Sequence, residues 1–133
     1  EADRCASARS LQERFGGVAL LKGAGTLVAA PDQLPVLIAG ANPGMATGGM
    51  GDVLSGILGA FMAQALKAQS MSLADGVVLG ASLHLAAADR ASRCRGYRGL
   101  LPMDVIDTLP GVLAGAEFRL EKTGVTAMGV SDD

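Results

Sequence analysis

The 133 residues include 50% hydrophobic side chains and carry a formal charge of −2, from 11 Lys+Arg against 13 Asp+Glu. That composition is enough for one buried core, excludes a disordered or collagen-like polymer, and provides no positive field to draw in nucleic acid. The two cysteines, Cys5 and Cys94, are too few and too far apart for a disulfide framework or a zinc site, and the charged start Glu1-Ala2-Asp3-Arg4 lacks the pattern of a secretory signal. A cytoplasmic address is therefore expected.

In chain order, Ala2 to Phe15 reads as a helix of moderate amphipathicity, stopped by Gly16-Gly17. Val18 to Leu21 is a short apolar run, the pattern of a strand buried on both faces, and the turn Lys22-Gly23-Ala24-Gly25-Thr26 leads into a second run, Leu27 to Ala30. Pro31-Asp32-Gln33 predicts a turn of hairpin type before a third run, Val36 to Ala39. From Asp52 to about Lys67 the sequence is apolar around most of its circumference, which predicts a central helix buried on several sides. Ser72 and Asp75 resemble a capping box opening a long Ala/Leu helix that runs to Arg93. Pro102 and Asp104 suit the first turn of a further helix, which Pro110-Gly111 is expected to interrupt or restart, and the tail over residues 124–133 is expected to fray. The apolar stretches Val53 to Leu66 and Val77 to Ala88 are broken by Ser55, Gln64, Ser82 and His84 and fall short of a bilayer span, so no membrane partner is expected.

The 19 glycines concentrate between Gly40 and Gly59 rather than spreading as a linker would, which points to backbone approaching a ligand. The segment Asn42-Pro43-Gly44-Met45-Ala46-Thr47-Gly48-Gly49-Met50-Gly51-Asp52 follows a strand and precedes a strongly apolar helix. Successive glycines let backbone N–H groups converge, and the unpaired N–H groups and dipole of a helix's first turn favour an anion there. Asp52 either caps those N–H groups or stands beside a phosphate as general base for a substrate hydroxyl. No Lys-Ser or Lys-Thr pair follows the last glycine, which disfavours a P-loop, and the position after a third apolar run disfavours a dinucleotide fingerprint.

Leu21-Lys22-Gly23-Ala24-Gly25-Thr26, together with Asn42 through Gly56, closely resembles the ADP/ATP-dependent NAD(P)H-hydrate dehydratase family of the ribokinase-like superfamily, and the resemblance extends through His84 and Asp89 to Leu101. It implies an α/β fold, the C-terminal portion of a ribokinase-like three-layer α/β/α domain over residues 1–123, with a small sheet followed by several helices. It also implies a lyase that repairs hydrated NADH or NADPH: ADP or ATP phosphorylates the added hydroxyl and elimination restores the double bond. By the same resemblance, Lys22, Gly23, Ala24, Gly25 and Thr26 lie along the nucleotide, and Gly48, Gly49, Met50 and Gly51 hold the phosphate with Mg2+ assisting. Asp52 is then the catalytic base and contacts the hydrate with Asn42. No side chain is assigned to a metal.

Other readings of these residues stay open. Lys22 also fits a solvated strand end, Thr26 is similarly ambiguous, and Asn42 also fits an Asx-turn before Pro43. Thr47 either donates to phosphate or satisfies the loop. His84, the single histidine, reads as a packed or hydrogen-bonded core residue, and Met45, Met50 and Met62 as packing. The rival functions are a ribokinase-like small-molecule kinase acting on a sugar or vitamin-precursor alcohol, and a non-catalytic nucleotide-binding fragment. A sheet lacking the strands that precede it in that family is expected to expose edges and to associate with the missing N-terminal part or as a homo-oligomer.

Overall fold

The computed structural model describes residues 3–69 and 71–122, with side chains to residue 116; the tail expected to fray lies outside the described residues. Helix α1 (Arg4–Phe15) is followed by strands β1 (Ala19–Leu21), β2 (Thr26–Ala29) and β3 (Val36–Ile38), a 3-10 turn at Pro43–Met45, and helices α2 (Met50–Ala68), α3 (Leu73–Arg95) and α4 (Pro102–Lys122).

Local chemistry accounts for most of these boundaries. The Asp3 carboxylate accepts from the N–H groups of Cys5 and Ala6 at 3.0 and 3.3 Å and so starts α1, while Gly16, at φ +73°, ends it with its N–H donating to the Gln12 carbonyl. Ser72 and Asp75 form the expected capping box at the start of α3. Two hydrogen bonds from Ser72 hold the Asp75 carboxyl below its usual range, that from the side chain contributing more than that from the backbone, against a small opposing effect of burial.

The strands form an antiparallel meander in the order β1-β2-β3, with Leu20 opposite Val28 and Leu27 opposite Leu37. Alternation divides its faces: Ala19, Leu21, Leu27 and Ala29 pack on Ala8 of α1, and the opposite face meets α3. The result is a small three-layer arrangement of helix, sheet and helix. Only β2 is largely buried; β1 is half-buried and Leu37 of β3 is 57% exposed, because among the described residues each of these strands has a single neighbour. The expectation of a first strand buried on both faces is corrected accordingly.

The central helix is α3 rather than α2. Its small residues allow close approach on several sides: a Cβ on Gly76 would stand 3.1 Å from the Phe61 carbonyl oxygen, and one on Gly80 would stand 3.1 Å from Leu58. It therefore touches α2, α4 and the sheet, whereas Gly56, Gly59, Ala60 and Leu66 of α2 are exposed. Helix α4 also runs unbroken through Pro110, against expectation. Val105, Leu109 and Val112 on both sides of the proline pack into one cluster with Met50, Ala87, Ala88, Ala91 and Leu100, and this shared burial outweighs the missing N–H. The Arg95 Nε bonds Asp104 Oδ1 at 3.0 Å, joining the end of α3 to the first turn of α4.

Gly49 marks the entry to α2 at φ +87°, and a Cβ there would lie 3.0 Å from Pro102 Cγ. Gly49→Ala should cost about 1–2 kcal/mol from left-handed backbone strain alone. Gly48→Ala, where nothing lies within 4 Å, should change stability by less than about 0.5 kcal/mol. Urea denaturation midpoints of the two variants check this.

Candidate active site

A cavity of ≈ 460 Å³ opens between the turn that joins β1 to β2, the end of β3 and the middle of α3. Lys22, Gly23, Ala24, Thr26 and Asn42 line it together with Ile38, Leu54 and His84. The turn is held from behind by Arg4, whose guanidinium donates to the carbonyl oxygens of Ala24 at 3.1 Å, Gly25 at 3.0 Å and Leu21 at 3.4 Å. Gly25 is buried at φ +83° and donates its N–H to the Gly40 carbonyl at 3.1 Å, which ties the turn to the segment leaving β3. Four of the five residues expected along a nucleotide thus line one cavity wall, with the fifth directly behind it.

Asn42, 7% exposed, is a strut. Its Nδ2 donates to Asp89 Oδ1 at 2.8 Å and to Ser92 Oγ at 3.0 Å, both on α3, while its Oδ1 accepts from the Gly44 N–H at 2.9 Å. The Asx-turn is realised in a residue that also lines the cavity, with two added bonds that fasten the loop to the central helix.

His84 lies in the cavity wall, 2% exposed, and its Nε2 is buried with no hydrogen-bond partner among the described residues. Burial pushes its pKa below the ordinary 6.5, and the positive charge of Lys22 pushes it further in the same direction. The imidazole is neutral near pH 7. It packs against α3's neighbours as expected, but it is not a satisfied core histidine.

Gly48, Gly49, Met50, Gly51 and Asp52 stand apart from this cavity, at the entrance to α2. Gly48, Gly49 and Gly51 are exposed, and no side chain caps the first turn. The capping role open to Asp52 is therefore not the one it takes; its carboxylate is exposed and lines a separate groove of ≈ 590 Å³ between α2 and α4, beside Val53, Ile106 and Leu109. The Met50 side chain, 1% exposed, belongs to the core and leaves only its backbone to the loop surface. Among the described residues no group of three or more His, Cys, Asp or Glu side chains is placed to hold a metal ion. That donor set fits only a cation brought by phosphate oxygens, since magnesium in such sites takes one or two carboxylates and keeps several waters.

Arg4, Asp89 and Ser92 hold the site but are not legible as site residues. Arg4 reads as one polar position of an amphipathic helix, and Asp89 and Ser92 lie some 50 residues from the loop they hold, with hydrogen bonds spanning 47 and 50 positions. His84 was visible, with Ser82, as a polar residue interrupting an apolar stretch, a signal that fits packing as well as binding.

Comparison with known proteins places these features in a family. A family model described as NAD(P)H-hydrate dehydratase matches residues 1–111. The bifunctional NAD(P)H-hydrate repair enzyme Nnr of Vibrio cholerae is 50% identical over 113 residues, which cover 85% of this chain and 22% of that enzyme. The ADP-dependent (S)-NAD(P)H-hydrate dehydratase of Neisseria meningitidis is 41% identical over 106 residues, covering 79% and 34% respectively. The structure of the ADP/ATP-dependent NAD(P)H-hydrate dehydratase from Bacillus subtilis, co-crystallised with ATP/Mg2+, superposes with a TM-score of 0.70 at 26% identity, covering 85% of this chain and 39% of that one. The chain spans about a fifth of the length of the Vibrio relative.

Two stability measurements probe this geometry. Asn42→Ala leaves Asp89, Ser92 and the Gly44 N–H without a shared partner and should cost about 2–3 kcal/mol in urea denaturation. For His84, the unfolded chain takes up a proton near pH 6.5 while the folded chain, with its lower pKa, does not. Its contribution to stability should fall as pH drops below about 6.5, by up to about 1.4 kcal/mol per pH unit, and level off below the folded pKa. Lys22→Met should narrow that window, and unfolding curves taken across this range test both statements.

Proposed function

The chain belongs to the NAD(P)H-hydrate dehydratase family, and from that premise we propose that it carries the nucleotide-handling part of an enzyme that uses ADP or ATP to dehydrate hydrated NADH and NADPH. The observation that carries this reading is the bare entrance to α2: exposed glycines, a first turn without a side-chain cap, and one exposed carboxylate at the same place. Such an entrance holds phosphate oxygens through backbone N–H groups and the helix dipole, while Asp52 is free to accept a proton.

In this reading the nucleoside end lies in the cavity walled by Lys22 to Thr26, and the phosphates run toward Gly48 to Gly51. The segment from Asn42 to Ala46 supports that path, because it forms part of the cavity wall and leads directly into the glycines. Asp52 takes the proton of the hydrate's hydroxyl as that oxygen bonds to the terminal phosphorus and the bond to the nucleotide breaks. Loss of the resulting phosphate, with its C–O bond electrons, and of a ring proton restores the double bond. Magnesium carried on the nucleotide neutralises phosphate charge during transfer. Asn42 serves the hydrate by fixing the loop rather than by offering a free amide, since its amide nitrogen and carbonyl oxygen are both engaged.

The exposed apolar side chains Phe15, Leu34, Leu37 and Leu66 support association of this chain, with a second copy or with further sequence of a longer protein. Among the described residues no helix is long and apolar enough to cross a membrane.

Asp52→Asn is the direct test. Calorimetric titration of ADP and ATP with magnesium should give affinities within a few-fold of the original chain, while turnover of hydrated NADH should fall by about 10²–10⁴-fold. Full turnover by the variant would remove Asp52 from the chemistry. A phosphorylated alcohol accumulating in place of free phosphate and dehydrated nicotinamide would favour the kinase reading, and nucleotide binding without turnover would favour a binding fragment.

A further inference from the structure

We propose that His84 recognises the nucleoside end of the nucleotide, its Nε2 making a hydrogen bond to an uncharged polar edge of the ribose or base inside the cavity bounded by β3, the β1–β2 turn and α3. This rests on the nucleotide reading above and assigns the discriminating contact within it. The carrying observation is the orphan Nε2 itself: it is buried, borders a cavity of ≈ 460 Å³, and has no partner among the described residues. A buried polar atom left in that state is costly, and nearly all such atoms in folded proteins find a partner. The neighbouring positions of α3 are Ala81, Leu85, Ala87 and Ala88, so an apolar residue would pack there without that cost.

The surroundings define the partner's chemistry. Ile38, Leu54, Ala81 and Leu85 supply apolar wall, which suits the faces of a base and a sugar, and the volume lies in the range of small-molecule pockets. Burial and Lys22 keep the imidazole neutral, so it offers one directional hydrogen bond and no charge to a phosphate. Backbone N–H groups suited to phosphate are at the α2 entrance, a different surface. The partner of Nε2 is therefore a hydroxyl or ring nitrogen of a nucleoside, with Lys22 in the same cavity wall.

Because His84 is the single histidine, its imidazole resonances need no assignment by mutagenesis. The chain labelled with ¹⁵N-histidine is titrated with magnesium ADP, adenosine, 2′-deoxyadenosine and inorganic pyrophosphate. The Nε2 resonance should move with ADP and adenosine and stay in place with pyrophosphate; the deoxy compound separates a contact to the 2′-hydroxyl, which it abolishes, from a contact to the rest of the sugar or to the base, which it keeps. In calorimetry His84→Leu should weaken ADP and adenosine about tenfold and leave pyrophosphate unchanged, with His84→Gln recovering part of the loss. An Nε2 resonance unmoved at saturating ADP, or one that responds equally to pyrophosphate, overturns the assignment while the nucleotide reading stands. If the original, folded chain binds no ADP, the nucleotide reading falls and this assignment with it.

Discussion

The close approach of neighbouring elements to α3 is the constraint from which the rest of this structure follows. Gly76 and Gly80 bring α2 within van der Waals contact of the helix, and Ala87, Ala88 and Ala91 admit Met50, Leu100 and Val105. With few aromatic side chains to fill space, the core depends on backbone proximity rather than on large side chains. A larger residue at Gly76 or Gly80 pushes α2 away from α3, and one at Ala87, Ala88 or Ala91 displaces Met50, Leu100 and Val105. Placement of the α2 entrance is a consequence: Met50 is buried in the alanine cluster, so Gly49 before it must turn through left-handed backbone under Pro102, and the glycines outside are left exposed.

The same helix carries the cavity wall, which links the two parts of the candidate site. Asn42 fastens the loop after β3 to Asp89 and Ser92, and His84, between five and eight residues earlier on α3, faces the cavity beside Lys22. Arg4 fastens the opposite wall by gathering three carbonyl oxygens of the turn before β2. These hydrogen bonds fix the cavity walls to backbone and to α3, and the packing of Met50 against Ala87, Ala88 and Ala91 fixes the helix entrance to the same helix. Preorganisation of this kind spares a ligand the cost of ordering the loop when it binds.

Much of the fold was legible because its signals are local. Gly16 ending α1, the Ser72–Asp75 box opening α3 and the turn at Asp32, with φ +57°, each act within a few residues. Positions of the three strands were readable to within one or two residues for the same reason. What was misread depends on neighbours distant in sequence. An apolar circumference does not say which helix will be surrounded, so α2 was expected at the centre although the small residues of α3 decide that place. Pro110 was expected to break α4, and the burial of Leu109 and Val112 on either side overrides the local rule. The glycine loop was legible as a motif, but its separation from the Lys22 cavity was not, because adjacency across the sheet leaves no trace in spacing.

Helix capping sets the start of α2 apart from those of the other helices. Asp3 caps α1 and Ser72 caps α3; at α4 the Asp104 carboxylate accepts from the Leu101 N–H at 2.9 Å. Helix α2 begins instead at a glycine with no side-chain cap, although a serine or aspartate in a suitable conformation contributes about 1 kcal/mol at such a position. The core compensates through Met50, whose burial at the first helical residue holds the entrance in place from inside. A first turn anchored by an apolar side chain keeps its N–H groups unclaimed by the protein, and a nearby exposed carboxylate can then act on whatever those groups hold. A side-chain cap at the same position would stabilise the helix and occupy those donors.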